Sequence, residues 1–166
     1  MFFVKIPNPF KCLYKSQQPD KISNNIKWED TIEFTFPITG GQVIKVYDAD
    51  TITIASKLPY ETSPLYRFSV RLNGIDTPEL KGKNVSDEEK IAAKLARDYV
   101  ADLILNKYVR LENVVNEKYG RILADVYINN VNINELLIQE RYAVKYDGGT
   151  KHKPKSWFTY RLMGEL

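Results

Sequence analysis

Tyr66-Arg67-Phe68-Ser69-Val70-Arg71-Leu72 decides the fold class. Apolar Tyr66, Phe68, Val70 and Leu72 alternate with polar Arg67, Ser69 and Arg71. That is the period of a strand buried on one face, with both arginines on the polar face. Upstream, Val43 to Tyr47 and Thr51 to Ala55 read as two more strands, joined by a turn at Asp48-Ala49-Asp50. Ile32, Phe34 and Phe36 alternate with Thr31, Glu33 and Thr35 and read as a fourth. Downstream, Ser86 with Glu89 three residues later is a capping box, and it opens a helix. Ile91, Leu95, Tyr99 and Leu103 recur every four residues, an apolar stripe read as core. Val109 to Glu112 and Ile122 to Ile128 are further strands, and Asn129-Asn130 suits a tight turn. Asn132 or Asn134 caps a second short helix through Glu140, and Ser156 to Met163 forms a third helical turn or two. Short strands around one core, with helices appended, predict a mainly β, α+β fold: an OB-type five-stranded barrel with about three helices.

The 166 residues suit one domain with a single core, and 43% apolar residues exclude wholesale disorder. The net charge of +3 is compatible with a polyanionic partner without demanding one. Lys151, Lys153, Lys155 and Arg161 gather positive charge near the end; a solvated tail and a nucleic-acid contact explain them equally well. The 11 tyrosines can fill a barrel core or stack on bases. Cys12 is the only cysteine, so no intrachain disulfide forms. The first fifteen residues lack the long apolar run of a signal peptide, and no transmembrane stretch follows. A chain compatible with the cytoplasm and not bound to membrane is expected. Asn84-Val85-Ser86 matches a glycosylation sequon, read as coincidence. Residues 1–27 are rich in Asn, Gln, Pro, Ser and Lys and read as an extension or linker, or alternatively an arm pinned by Phe2, Phe3 and Phe10. Residues 28–166 form the domain.

Five clusters can carry chemistry: Asp48-Ala49-Asp50-Thr51, Arg71, Asp76-Thr77-Pro78-Glu79, Lys118-Tyr119-Gly120-Arg121 and Lys145-Tyr146-Asp147-Gly148-Gly149. Each alone has a structural explanation. Asp in a turn bonds its own backbone, Pro with Glu starts a helical turn, and an arginine on a strand is a surface cation. Together they suit phosphodiester hydrolysis. Two aspartates hold a hard divalent cation through oxygen. Two arginines fork onto phosphate oxygens, which lysine cannot do. A glutamate nearby orients or deprotonates water. One such arginine is worth about 10³ to 10⁵ in rate, whereas a surface arginine adds under about 1 kcal/mol of stability. His152, a lone histidine in the basic tail, is not needed for this chemistry.

The same residues, in the same order, resemble the staphylococcal-nuclease-like (thermonuclease) family. Val43 to Thr51 resembles its first signature, Arg71 to Glu79 its second and Lys118 to Arg121 its third. The resemblance covers roughly Thr31 to Gly149. It implies an OB-type barrel with three helices and a metal-dependent nuclease acting on single-stranded DNA or RNA. It also implies 3′-phosphate products. By this resemblance Asp50, Asp76 and the Thr77 carbonyl match the calcium positions, and Asp48 supports them. Glu79 matches the residue that positions the attacking water, and Arg71 and Arg121 match the phosphate clamps. Lys118, Tyr119 and Tyr146 match nucleotide contacts. Calcium is the expected cofactor, with magnesium the alternative, and a monomer is expected. One position departs: Ala49 replaces the usual glycine, and a positive φ there would cost on the order of 1 kcal/mol. The segment after Arg141 is shorter than in the family's best-known member, which predicts a truncated last helix.

A different class of function, an OB-type module that binds nucleic acid without cutting, is the competing reading. A degenerate domain would have lost at least one of Asp50, Arg71, Asp76, Glu79 and Arg121, and all five are present.

Overall fold

The computed structural model describes residues 24–164. The chain separates into two compact units, residues 1–34 and 35–166. In the first, the described part holds one 3-10 turn, Trp28–Asp30, closed when the Lys27 amide donates to Asp30 Oδ2 at 3.0 Å. Most of the expected extension, with Phe2, Phe3, Phe10 and Cys12, lies outside the described residues.

The second unit contains β1 (Gly40–Asp48), β2 (Thr51–Ser56), β3 (Tyr66–Leu72), β4 (Ile75–Asp76), α1 (Asp87–Ile104), β5 (Tyr108–Asn116), β6 (Ile122–Ile128), β7 (Val131–Asn132), α2 (Ile133–Gln139), β8 (Val144–Lys145) and α3 (Trp157–Met163). Five strands run in the order β3-β2-β1-β5-β6, and parallel pairing of Val70 to Leu72 with Ile122 to Ala124 closes them into a barrel. This is the expected OB-type five-stranded α+β barrel with three helices, without the sixth strand read at residues 31–36. Its inside is filled by Val43, Ile52, Ile54, Val70, Leu72, Val109, Ile122 and Val126, all fully buried. The alternation of β3 is realised in its second half, where Val70 and Leu72 are buried and Arg71 is not; at its start Tyr66 is exposed beside Arg67. β1 passes so close to β2 that a Cβ on Gly41 would stand 2.6 Å from the Ala55 carbonyl oxygen. Only glycine permits that approach.

Two expectations are corrected. Residues 31–36 alternate but form no strand. Pro37 has no amide hydrogen, and the Ile38 amide donates to the Phe36 carbonyl at 2.8 Å, so the chain turns there instead of entering β1. Ile32 is left 95% exposed, and Phe36 packs edge-on against Phe68. The core face of α1 also differs from the expected stripe. Glu89, Ala92, Ala93, Ala96, Val100 and Ile104 are buried, whereas Ile91 and Leu95 are about half exposed. A helix turns about 100° per residue, so four-residue steps drift by about 40° each. Ile91 and Leu95 therefore lie off the face that Tyr99 and Leu103 approach. Small alanines let the helix sit close to the barrel. Ser86 caps α1 by accepting from the Glu89 amide at 3.1 Å, but the Glu89 carboxylate does not return to complete a capping box.

Of the two candidates Asn132 and Asn134, Asn132 caps α2, and Ser156 lies just outside α3 as its N-cap. α3 has 7 residues. Trp157 and Tyr160 bury it against Ala92 and Val144. Asn129 and Asn130 both take positive φ, 47° and 66°, the backbone of a tight hairpin.

Candidate active site

The acidic cluster stands where β1, β2, β3 and β4 meet. A register shift between Val46 and Asp48, where β1 bulges, directly precedes Asp48. Bulges of this kind re-aim side chains at functional edges. Asp50 follows in the β1–β2 turn and is 4% exposed. Its carbonyl accepts from the Leu72 amide at 2.8 Å, and its Oδ1 accepts from the Thr51 hydroxyl at 3.0 Å. Thr51 pairs with Arg71 across β2 and β3, which carries the arginine to the same edge. Arg71 meets Asp50 at 2.7 Å and Asp76 at 3.6 Å, and donates to the Ile75 carbonyl at 3.3 Å.

Asp76 is 3% exposed. Its backbone is fixed by the β4–β8 ribbon, in which it pairs with Val144. The turn before it is fixed by Asn134, whose amide donates to the Asn73 carbonyl at 2.8 Å and to the Ala124 carbonyl at 3.3 Å. Asn134 Oδ1 accepts from the Val126 amide at 3.0 Å. Thr77 is buried, and Glu79 follows on the exposed side. Two links hold the Glu79 segment: its amide donates to Glu89 at 3.3 Å, and its carboxylate accepts from Lys151 at 2.8 Å. Lys151 also donates to Asp76 at 2.7 Å.

Asp50, Arg71, Asp76 and Glu79 are thus joined by ion pairs, with Lys151 as an added partner. Asp48 lies beside Asp50 and raises its pKa. Arg121 is not gathered in the same way. It pairs with Glu117 in its own hairpin, one bond measuring 2.6 Å, and its guanidinium lies 5.9 Å from the Tyr119 ring. Arg71, Lys118, Tyr119 and Tyr146 line one cavity of about 490 Å³.

Burial dominates the electrostatics. It pushes the Asp50 carboxyl up to about 7, against the opposing charge of Arg71 and with help from Asp48. Burial also raises Asp76, outweighing the hydrogen bond from Lys151. For Lys151 burial acts downward, but the bonds to Asp76 and Glu79 win and raise its pKa. The bond from Arg121 lowers Glu117 and, reciprocally, raises Arg121.

The donor set suits a hard divalent cation. Asp48 Oδ1 is buried without a hydrogen-bond partner among the described residues. Four carboxylates (Asp48, Asp50, Asp76 and Glu79) face two cations (Arg71 and Lys151), an excess of two negative charges when all are ionised. Asp50, Asp76 and the Thr77 carbonyl offer the oxygen ligands that calcium or magnesium prefers. Among the described residues no three acidic, histidine or cysteine side chains converge on one point, and Asp50 and Asp76 are instead paired with Arg71 and Lys151. Ala49 does not carry the strain its position raised. It is not among the positive-φ residues, and its methyl is buried.

Lys151, Glu89, Asn134 and Glu117 escaped the sequence reading as site residues. Lys151 and Glu89 were visible only as a tail charge and a capping partner. Their partners lie 75 and 10 residues away, beyond any local spacing rule.

Comparison with known proteins assigns the family. The family model described as staphylococcal nuclease homologue matches residues 69–159. A thermonuclease of Staphylococcus hyicus is 34% identical over 61% of this chain and 56% of its own. An uncharacterized endonuclease of Haemophilus influenzae is 30% identical over 63% of this chain and 51% of its own. A probable endonuclease of Phaeosphaeria nodorum is 34% identical over 46% of this chain and 25% of its own. The chain spans at most 65% of the length of these and the other curated relatives it matches. No helix among the described residues is long and apolar enough to cross a membrane.

Proposed function

Because the chain belongs to the family of staphylococcal nuclease homologues, we propose that it is a metal-dependent nuclease that hydrolyses single-stranded DNA or RNA. The observation that carries this reading is the buried pairing of Asp50, Arg71 and Asp76 beside Glu79, with more negative charge than its own cations balance.

Asp50, Asp76 and the Thr77 carbonyl would hold the cation, calcium first and magnesium as the alternative. When bound, the cation would neutralise charge on a phosphoryl oxygen and make a nearby water more acidic. Arg71 would fork onto the phosphoryl oxygens, where charge builds in the transition state. Arg121 would join it after leaving Glu117. Glu79, exposed and acidic, would orient the attacking water and take its proton. The water oxygen bonds to phosphorus and the bond to the 5′-oxygen breaks; that oxygen takes a proton from solvent, leaving a 3′-phosphate and a 5′-hydroxyl. Lys118, Tyr119 and Tyr146 would hold the adjoining nucleotide in the shared cavity. Residues 28–166 would form the nuclease domain, acting as a monomer, with 1–27 an extension.

End-group analysis of digested single-stranded DNA tests the product assignment. Fragments that accept phosphate from a 5′-kinase without prior dephosphorylation agree with 5′-hydroxyl ends. Fragments that need dephosphorylation first contradict it.

A further inference from the structure

A second groove, of about 250 Å³, is lined by Lys45, Tyr47, Thr53, Ser69 and Arg121, together with Asp48 and Thr51 from the site. Strand register explains its composition. Asp48, Thr51 and Arg71 form one rung across β1, β2 and β3, and this rung belongs to the site. Lys45, Thr53 and Ser69 form the next rung on the same face. Gln42, Ala55 and Arg67 form the one after. Successive rungs lie about 6.6 Å apart. The opposite faces of these strands carry the buried core residues Ile52, Ile54 and Val70. The outward face thus presents cations, hydroxyls and a side-chain amide leading away from Arg71. Asp48 is the only carboxylate lining the groove.

Tyr47 is the residue that the β1 bulge displaces. It lines the groove with its neighbours Lys45 and Asp48, is 53% exposed, and has the Lys45 ammonium 5.5 Å from its ring centre. An exposed ring beside a lysine carries nothing for the barrel core. It offers a base a π-face and its phosphate a counter-charge. Arg121 lines this groove while its guanidinium lies over Tyr119, which lines the larger cavity. Residues of the arginine hairpin therefore line two recesses, each with an exposed tyrosine and a lysine: Tyr119 and Lys118 in one, Tyr47 and Lys45 in the other. A polynucleotide with one phosphate at Arg71 must leave the site in both directions, and only one exit is taken by the Tyr119 cavity.

We propose that the Lys45–Tyr47–Thr53–Ser69 groove is a second nucleotide subsite. It takes the single-stranded segment on the far side of the cleaved phosphate, with a base stacked on Tyr47 and a backbone phosphate at Lys45. This rests on the nuclease reading and extends it. It makes the enzyme prefer chains that reach both recesses over substrates with a nucleotide on one side only.

The test compares wild type with Tyr47→Ala, Tyr47→Phe and Lys45→Ala. An oligonucleotide of eight residues is one substrate, and a nucleotide with a nitrophenyl ester in place of the second nucleoside is the other. Anisotropy with labelled oligonucleotide in chelator measures binding separately. Tyr47→Ala raises KM and Kd for the oligonucleotide about tenfold and leaves the nitrophenyl ester unaffected. Tyr47→Phe behaves as wild type. Lys45→Ala lowers the salt dependence of binding by about one phosphate contact. A wild type that cuts the oligonucleotide while both alanine variants match it on both substrates overturns the subsite alone. A wild type that neither binds nor cuts overturns the nuclease reading and the subsite with it.

Discussion

Lys151 Nζ lies 2.7 Å from Asp76 Oδ1 and 2.8 Å from Glu79 Oε1, so one ammonium joins the carboxylate proposed to hold the cation to the one proposed to activate water. A divalent cation that binds Asp76 competes with this ammonium. Lys151→Gln removes the competitor and leaves buried Asp76 less compensated. The variant is expected to bind calcium several-fold more tightly in a calorimetric titration, and to melt at a lower temperature than wild type in chelator. Weaker calcium binding would show instead that Lys151 organises the acidic residues.

Asn134 is a positioning residue on α2 whose side chain hydrogen-bonds backbone groups of Asn73, Ala124 and Val126. Its amide satisfies the Asn73 and Ala124 carbonyls and the Val126 amide, which fixes the corner between Arg71 and Asp76. Asn134→Leu removes the side-chain partners of the Asn73 carbonyl and the Val126 amide, while the Ala124 carbonyl keeps the Asn73 amide at 2.9 Å. A loss of about 1–3 kcal/mol in denaturant unfolding is expected, together with reduced kcat. An unchanged unfolding midpoint would refute the bracing role.

Ala49 sits between the two aspartates with its side chain 1% exposed and without positive φ. Ala49→Gly therefore relieves no strain. It removes a buried methyl and adds freedom to the unfolded chain, so it destabilises by about 0.5–1 kcal/mol and leaves metal affinity unchanged. A gain in stability would mean that the turn prefers glycine.

The pH dependence of the metal-free protein follows from Asp50. Its folded pKa, about 7, is raised above the ordinary 3.8, so between these values the folded state holds a proton that the unfolded chain has lost. Asp76 shifts in the same direction. Glu117 shifts the opposite way through Arg121, and the stability it adds fades as the pH falls below its ordinary 4.5. Melting temperature in chelator should therefore fall as the pH rises from about 5 through 7. A rise over that interval would contradict the burial of Asp50.

The barrel was legible where one strand face is buried and the other is wet. β3 shows this directly, since its alternation and its bounds coincide. The Thr31–Phe36 stretch carries the same alternation and is no strand, because a pattern states a preference and not a partner, and Pro37 turns the chain away. The α1 face was misread because large apolar residues draw attention while the contact is made by alanines. Within the site, Asp50, Arg71, Asp76 and Glu79 were legible from residue type and order. Glu89 and Lys151 were not, since their roles exist only after distant segments meet. The Arg121–Glu117 pair lies within one hairpin, at a spacing of four, and was open to notice.

The most direct test of the central claim is cleavage of labelled single-stranded DNA and RNA by wild type and Arg71→Ala, with calcium, with magnesium and with chelator. The account predicts cutting that requires a divalent cation and falls by about 10³ or more in the variant while binding survives. Cutting that persists in chelator, or an Arg71→Ala enzyme as fast as wild type, would contradict it.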